Sequence, residues 1–188
     1  MRGWWVKKKR RRGCDCLLGI SSACFYPEKT ENTVSVIAEL GYTRAEFFLN
    51  THREFSSAFL SELKKMCLFS GITPVSVHPY TSFAEPNFFF SDYPRRFDDG
   101  LELYKQYFHA SAEFGARFFV FHGGLCRQRA KMPPERYAER YAVLHDTALA
   151  EGVTLCQENV VDHLCGNSEY VGSLKKLLGK NIAFALDL

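Results

Sequence analysis

This 188-residue sequence lacks a long apolar run, a recognisable signal peptide and an even number of cysteines, and each absence excludes or disfavours a class of protein. No apolar run approaches the ~18 residues of a membrane span, which predicts a protein without a transmembrane segment. No sustained apolar segment with a cleavage site follows the N-terminus, which argues against a secretory signal peptide. Seven cysteines are present, an odd number, and Cys14 and Cys16 have no second Cys or His pair beside them. The cysteines therefore predict reduced thiols in a cytoplasmic protein.

Acidic residues are absent from the first twelve positions, which hold seven Lys or Arg. The other 176 residues carry 17 basic and 21 acidic side chains, so their net charge is −4 although the whole chain is +3. A basic run can bind nucleic acid or anionic lipid. We interpret residues 1–16 as a basic, disordered N-terminal extension, and we expect the folded part to span residues 17–188.

Strand-like and helix-like segments alternate along the rest of the chain. Each predicted helix is followed by a glycine, and a strand begins within about three residues of it. A longer loop is predicted over 79–96. The predicted strands are 17–25, 43–49, 72–77, 118–121, 153–157 and 182–186; the predicted helices are 30–40, 57–70, 97–114, 133–152 and 167–179.

Repeated strand–helix units of this kind predict a parallel α/β sheet, either open and doubly wound or closed into a barrel. No G-x-G-x-x-G follows the first strand, which weakens the dinucleotide-binding version of the open sheet. Small side chains such as Thr154 and Cys156 share one strand face with Glu158, whereas bulky ones such as Leu155 occupy the other. A small inner face and a bulky outer face favour a TIM barrel. With about six strands and five helices, we expect an incomplete one that lacks its C-terminal units.

Four predicted strands end in a side chain that can bind a metal: His78, His122, Glu158 and Asp187. These strand ends meet at the edge where parallel α/β folds place their sites. Two imidazoles and two carboxylates suit a divalent cation, and all four side chains share the phase of the small strand face. We therefore predict a metal site at this edge. His52 and His163 lie on loops of the same edge, where we expect substrate contacts.

At these residues the sequence resembles the xylose isomerase-like barrels, a superfamily that includes sugar phosphate isomerases and epimerases and endonuclease IV. The resemblance covers residues 17–188 and implies part of a ~250-residue TIM barrel. The stretches that carry it are Val77-His78-Pro79-Tyr80, Phe121-His122-Gly123-Gly124, Gln157-Glu158-Asn159-Val160, Ala185-Leu186-Asp187-Leu188, Leu18-Gly19-Ile20-Ser21-Ser22 and Ala45-Glu46-Phe47-Phe48.

The resemblance also implies roles for individual residues. Glu158 and Asp187 match the carboxylate ligands of the family's fifth and sixth strands. His78 and His122 match imidazoles that bind metal in endonuclease IV, although isomerase members can do without them. The implied cofactor is a divalent ion, Mn, Mg, Co or Zn. Asn159 joins His52 and His163 as an expected substrate-binding residue.

Three functions remain open within this resemblance. The favoured one is a sugar or sugar-phosphate isomerase or epimerase, in which Glu158 moves a proton next to a carbonyl of a small carbohydrate. An endonuclease IV-like, zinc-dependent nuclease is the alternative. It expects Glu-Asn-Thr-Ala-Gly on the fifth strand, where this chain reads 158–162 as Glu-Asn-Val-Val-Asp, and the net charge of −4 disfavours a nucleic-acid partner. The third is a barrel relic without catalysis. The oligomeric state is left open.

Overall fold

Six parallel strands form one sheet in the computed structural model, which describes residues 18–127 and 132–186. The strands are β1 Ile20–Ser21, β2 Arg44–Leu49, β3 Thr73–Pro79, β4 Phe118–Phe121, β5 Thr154–Glu158 and β6 Ala183–Ala185. The helices are α1 Thr30–Glu39, α2 Ser57–Ser70, α3 Glu85–Phe89, α4 Pro94–Phe114, α5 Pro134–Ala150 and α6 Ser168–Leu178. The predicted extension 1–16 and Asp187 lie outside the described residues.

The order of the strands decides between the two predicted architectures. Each strand pairs in parallel with its neighbours in sequence, from β1 to β6. A doubly wound sheet reverses its strand order at a switch point, whereas a TIM barrel keeps the sequential order. Val77, Phe119 and Leu155 are fully buried in the core, as expected for strand faces covered by helices. The chain is thus a partial TIM barrel, as predicted.

The helix boundaries follow from local signals that the sequence contains. Ser56 precedes α2 and its hydroxyl accepts a hydrogen bond from the Phe59 amide. Asn167 precedes α6 and its side-chain oxygen accepts from the amides of Glu169 and Tyr170. Gly71 ends α2 at a φ of +69°, in the left-handed region that favours glycine. Among the described helices, none combines the length and the apolar character needed to cross a bilayer.

Two segments differ from the prediction. The first strand is only two residues long, and Ser22–Phe25 form a 3-10 helix instead of its second half. The hydroxyl of Ser22 accepts a hydrogen bond from the Phe48 amide, so this segment is tied to β2 by a side chain rather than by sheet pairing. The predicted loop 79–96 contains a 3-10 helix, Tyr80–Ala84, and the short helix α3.

Helix α3 is held in place by its contacts with the rest of the protein. Its Phe89 is fully buried and packs against Phe121 and Tyr104. The guanidinium of Arg140, on α5, donates hydrogen bonds to the carbonyls of Phe89 and Ser91. Five residues are too few for an isolated helix or for a readable sequence periodicity. This packing matters for function because α3 carries Glu85, which lies next to the site.

Candidate metal centre

Three of the predicted ligands converge at the carboxyl ends of adjacent strands. The Nε2 atom of His122 lies 2.8 Å from Oε2 of Glu158 and 2.7 Å from Nε2 of His78. The third distance, from Nε2 of His78 to Oε2 of Glu158, is 3.7 Å. His78 is buried, and the other two side chains are mostly shielded from solvent. The order along the edge, with His122 beside Glu158 and His78 next, is the one expected from the strand sequence.

The sheet explains this convergence. Phe121 of β4 pairs with Gln157 of β5, so the residues that follow them, His122 and Glu158, stand side by side. Alternation along the strands turns both side chains away from the helix-covered face. The ring of Phe48, on β2, stacks on the imidazole of His78 at 4.7 Å between centroids and 24° between planes. The position of His78 is therefore set by packing as well as by its strand.

The donor atoms fit a divalent cation. Ligands of one ion, at ~2.0–2.2 Å from it, must bring their N and O atoms within about 3–4 Å of each other. Two imidazole nitrogens and one carboxylate oxygen meet that requirement here, at 2.7, 2.8 and 3.7 Å from one another. The imidazoles of His122 and then of His78 lower the pKa of Glu158 to about 2, against the opposing effect of burial. Glu158 is accordingly an ionised carboxylate at neutral pH.

Beside these ligands lies a carboxyl group that the sequence analysis missed. Glu85 is completely buried on α3. Its Oε2 atom accepts hydrogen bonds from the backbone amides of His122, at 2.7 Å, and Gly123, at 2.8 Å. Its Oε1 atom accepts one from the hydroxyl of Tyr104 at 2.8 Å. Burial raises the pKa of Glu85 to about 8 although these hydrogen bonds oppose the shift. In the sequence, Glu85 stood in a predicted loop with no pattern to single it out.

Gln157 reaches the same stretch of backbone from the opposite direction. It is completely buried, and its Nε2 atom donates to the carbonyls of Phe121, at 3.2 Å, and His122, at 2.9 Å. Its Oε1 atom accepts a hydrogen bond from the hydroxyl of Tyr137 at 2.5 Å. In the sequence analysis Gln157 was only the residue before Glu158, on the outward strand face. The amide group could have been noticed there, since a buried amide needs several partners.

The predicted substrate-binding residues fall in different places. His163 is 8% exposed and its ring lies edge-on to that of His122. Within residues 18–127 and 132–186, neither of its ring nitrogens has a hydrogen-bond partner. Burial lowers the pKa of His163, with a further contribution from His122. Asn159 follows Glu158 directly and is half-buried. His52 lies apart from them: its Nδ1 atom is 3.2 Å from the Tyr107 hydroxyl, in an open groove of about 780 Å³.

Comparisons with known proteins identify the fold. No protein-family model matches the sequence, and no curated protein matches it at a significant level. Among solved structures, it is similar to D-psicose 3-epimerase with D-tagatose from Clostridium cellulolyticum H10, with 17% identity and a TM-score of 0.68 over 90% of this chain and 62% of that one. It is also similar to an L-ribulose 3-epimerase, with 19% identity and a TM-score of 0.69 over 90% and 60% of the two chains. A 3-keto-D-glucoside 4-epimerase from E. coli, in its apo form, gives 16% identity and a TM-score of 0.64 over 90% and 67%.

These matches confirm the predicted fold, part of a TIM barrel. The first three structures matched are sugar 3-epimerases, and the chain spans only about 60% of their length. Identities below 20% support the architecture, and the chemistry has to be argued from the residues themselves.

Proposed function

We propose that the protein is a metal-dependent isomerase or epimerase that acts on a small carbohydrate, either a sugar or a sugar phosphate. The observation that carries the proposal is the convergence of His78, His122 and Glu158 at the carboxyl edge of a barrel similar to those of sugar epimerases. We also propose that residues 17–188 are five strand–helix units and a sixth strand of a larger barrel, since all six strands pair in barrel order.

The residues that would hold the cation are His78, His122 and Glu158. Asp187, which follows β6, is the fourth proposed ligand and lies outside the described residues. A bound divalent cation would polarise a carbonyl or hydroxyl oxygen of the substrate. Mn, Mg, Co and Zn are the candidates. The two imidazoles favour a transition metal or zinc over magnesium, which prefers oxygen ligands.

Glu158 would also transfer the proton. Its carboxylate is ionised, partly accessible and at the mouth of the barrel, where a substrate carbon next to a carbonyl can approach. Its pKa of about 2 makes it a weak base while Nε2 of His122 donates a hydrogen bond to it at 2.8 Å. Proton transfer by Glu158 therefore requires that this hydrogen bond be given up, as it would be if Nε2 of His122 bound a cation.

His163 and Asn159 would orient the substrate. The buried ring of His163 stays neutral because its pKa is lowered, so one nitrogen can donate and the other can accept a hydrogen bond. Sugar hydroxyls both donate and accept, which matches this pair of free ring nitrogens. Asn159 adds an amide at the same strand end. We retain His52 as a more distant substrate contact, although its ring faces Tyr107.

The test is exchange of a substrate proton with solvent. The protein, loaded with Mn²⁺ or Co²⁺, is incubated with D-fructose, D-tagatose or D-allulose in D₂O, and deuterium incorporation next to the carbonyl is followed by NMR. Glu158→Gln keeps the size of the side chain and should lower turnover at least ~100-fold, the usual contribution of a general acid–base group. Glu135→Gln, at an exposed position in the first turn of α5, is the matched control and should be unaffected. Equal turnover in both variants would exclude Glu158.

An endonuclease IV-like nuclease is the second candidate, and one observation favours it. Both imidazoles take part in the cluster, as the resemblance to endonuclease IV requires. Cleavage of duplex DNA that contains an abasic site, measured with the zinc-loaded protein, distinguishes this activity from epimerisation. We expect no cleavage. A protein that binds no metal and catalyses neither reaction would instead support the non-catalytic barrel.

A further inference from the structure

The backbone around His122 is held from both sides by buried side chains. On one side, Oε2 of Glu85 accepts the amide hydrogens of His122 and Gly123, at 2.7 and 2.8 Å. On the other, Nε2 of Gln157 donates to the carbonyls of Phe121 and His122, at 3.2 and 2.9 Å. We call Glu85 and Gln157 the His122 clamp. Together they bind the donors and acceptors of the two peptide groups that flank the His122 side chain.

This arrangement replaces sheet pairing at the place where the strand ends. β4 stops at Phe121, so the amides of the next two residues have no strand partner in the sheet. Gly123 has a φ of +81°, which turns the chain sharply away from the sheet. Unpaired buried amides and carbonyls are costly, so side-chain partners at this point stabilise the chain. The clamp therefore defines one backbone conformation where the sheet no longer does.

We propose that Glu85 and Gln157 are positioning residues that hold the His122 imidazole in the geometry required for metal binding. The inference rests on the proposed metal role of His122. His122 is the central member of the cluster, since its Nε2 atom lies within 2.8 Å of both other donor atoms. A rotation of either flanking peptide would carry the ring away from them. Partners that orient a ligand from behind typically contribute 10–100-fold to metal affinity.

The chain offers a control that separates positioning from ordinary stabilisation. Tyr104 donates to Oε1 of Glu85, the oxygen that does not contact the clamped backbone. Tyr104→Phe removes a buried hydrogen bond of Glu85 and leaves both amide hydrogen bonds in place. It should lower thermal stability and leave metal affinity within about threefold of wild type, whereas a positioning variant should change affinity by 10–100-fold.

The experiment is a Co²⁺ titration of the full 188-residue chain, followed by the visible absorption of the bound ion. Glu85→Leu and Gln157→Met should each weaken Co²⁺ binding about 10–100-fold and alter the absorption spectrum. Glu85→Gln keeps an oxygen that can accept the two amide hydrogens, so it should restore most of the affinity. If Glu85→Leu and Gln157→Met bind Co²⁺ as the wild type does, with the same spectrum, the inference is wrong. If Glu85→Leu does not fold, Gln157→Met decides: unchanged binding by this variant would refute the inference.

Hydrogen exchange tests the clamp without any metal. The amides of His122 and Gly123 should exchange slowly in the wild type and Tyr104→Phe proteins, and faster in Glu85→Leu. Unchanged exchange in Glu85→Leu would overturn the inference. A wild-type protein that binds no Co²⁺ but shows this exchange pattern would refute the proposed metal site and leave the clamp as a backbone device. The two failures are therefore distinguishable.

Discussion

Gly123→Ala tests whether the backbone next to His122 is packed as closely against Tyr137 and Gln157 as the structure shows. At this position φ is +81°, a conformation that side chains rarely adopt. A Cβ atom there would overlap the hydroxyl oxygen of Tyr137 and come within 3.3 Å of Oε1 of Gln157. The collision strikes the hydrogen bond between these two side chains, which is 2.5 Å long. One added methyl group thus combines backbone strain with the loss of a buried contact.

The loss of stability caused by Gly123→Ala can be compared with that at a second glycine of similar backbone conformation. Gly71 has a similar φ, +69°, but a Cβ atom there would meet no atom of the described part of the chain within 4 Å. Gly71→Ala should therefore cost only the left-handed conformation, about 1–2 kcal/mol. Gly123→Ala adds about 1–3 kcal/mol of overpacking and about 1 kcal/mol for the damaged hydrogen bond. We expect a loss of about 3–6 kcal/mol in total, and a melting temperature lower by ~2–4 °C for each kcal/mol.

Urea unfolding of both variants, followed by circular dichroism, measures the difference. Tyr137→Phe removes the hydroxyl that the new methyl group would strike. In that background Gly123→Ala should cost less than it does in the wild type, although its Cβ would still lie 3.1 Å from Cζ of residue 137 and 3.3 Å from Oε1 of Gln157. The predicted collision is refuted if Gly123→Ala lowers the free energy of unfolding no more than Gly71→Ala does. It is also refuted if Gly123→Ala is equally destabilising with and without the Tyr137 hydroxyl.

Two further predictions concern residues away from the site. Cys67 is buried and its pKa is raised to about 12, so little of it is thiolate at pH 8. Iodoacetamide should therefore alkylate Cys67 at least ~100-fold more slowly than the exposed Cys24, as measured by peptide mass spectrometry. In urea, which unfolds the protein, the two cysteines should react equally fast. Similar rates in the folded protein would contradict the burial. Arg140→Met should lower the free energy of unfolding by about 1.5–3 kcal/mol, because the charged group donates to the carbonyls of Phe89 and Ser91. Arg136→Met, the control, removes a surface ion pair with Asp92 and should lower it by at most ~1 kcal/mol. Equal losses in the two variants would contradict this prediction.

The fold could be predicted because its signals are local and repeated. Helix ends marked by Gly71, Gly115 and Gly179 recur in step with apolar strands, and this repetition implies parallel pairing whatever the exact boundaries are. The sorting of small and bulky side chains then favours a barrel. Helix α3 could not be predicted in this way, because five residues give no periodicity and its conformation depends on contacts with β4 and α5.

The candidate site was predictable only in part. His78, His122 and Glu158 come together as expected, because strand order and side-chain alternation are sufficient to place them. Glu85 could not be found this way. Its role depends on two backbone amides 37 and 38 residues further along the chain, and no spacing rule connects them. Sequence patterns indicate which side chains face the site, but they say little about what holds the backbone beneath them.

The two glutamates of this region show how environment divides one residue type into two roles. Glu158 is partly open to solvent and lies beside the imidazoles of His122, at 2.8 Å, and His78, at 3.7 Å, so its pKa falls to about 2 and it stays charged. Glu85 has no access to solvent, so its pKa rises to about 8, and the negative charge of Glu158 adds to the rise. At neutral pH the charge available to a cation is therefore concentrated on Glu158. A second full charge on Glu85 would be buried behind His122, where it could contact neither solvent nor substrate. Glu85 can therefore bind the backbone amides of His122 and Gly123 while Glu158 supplies the negative charge of the site.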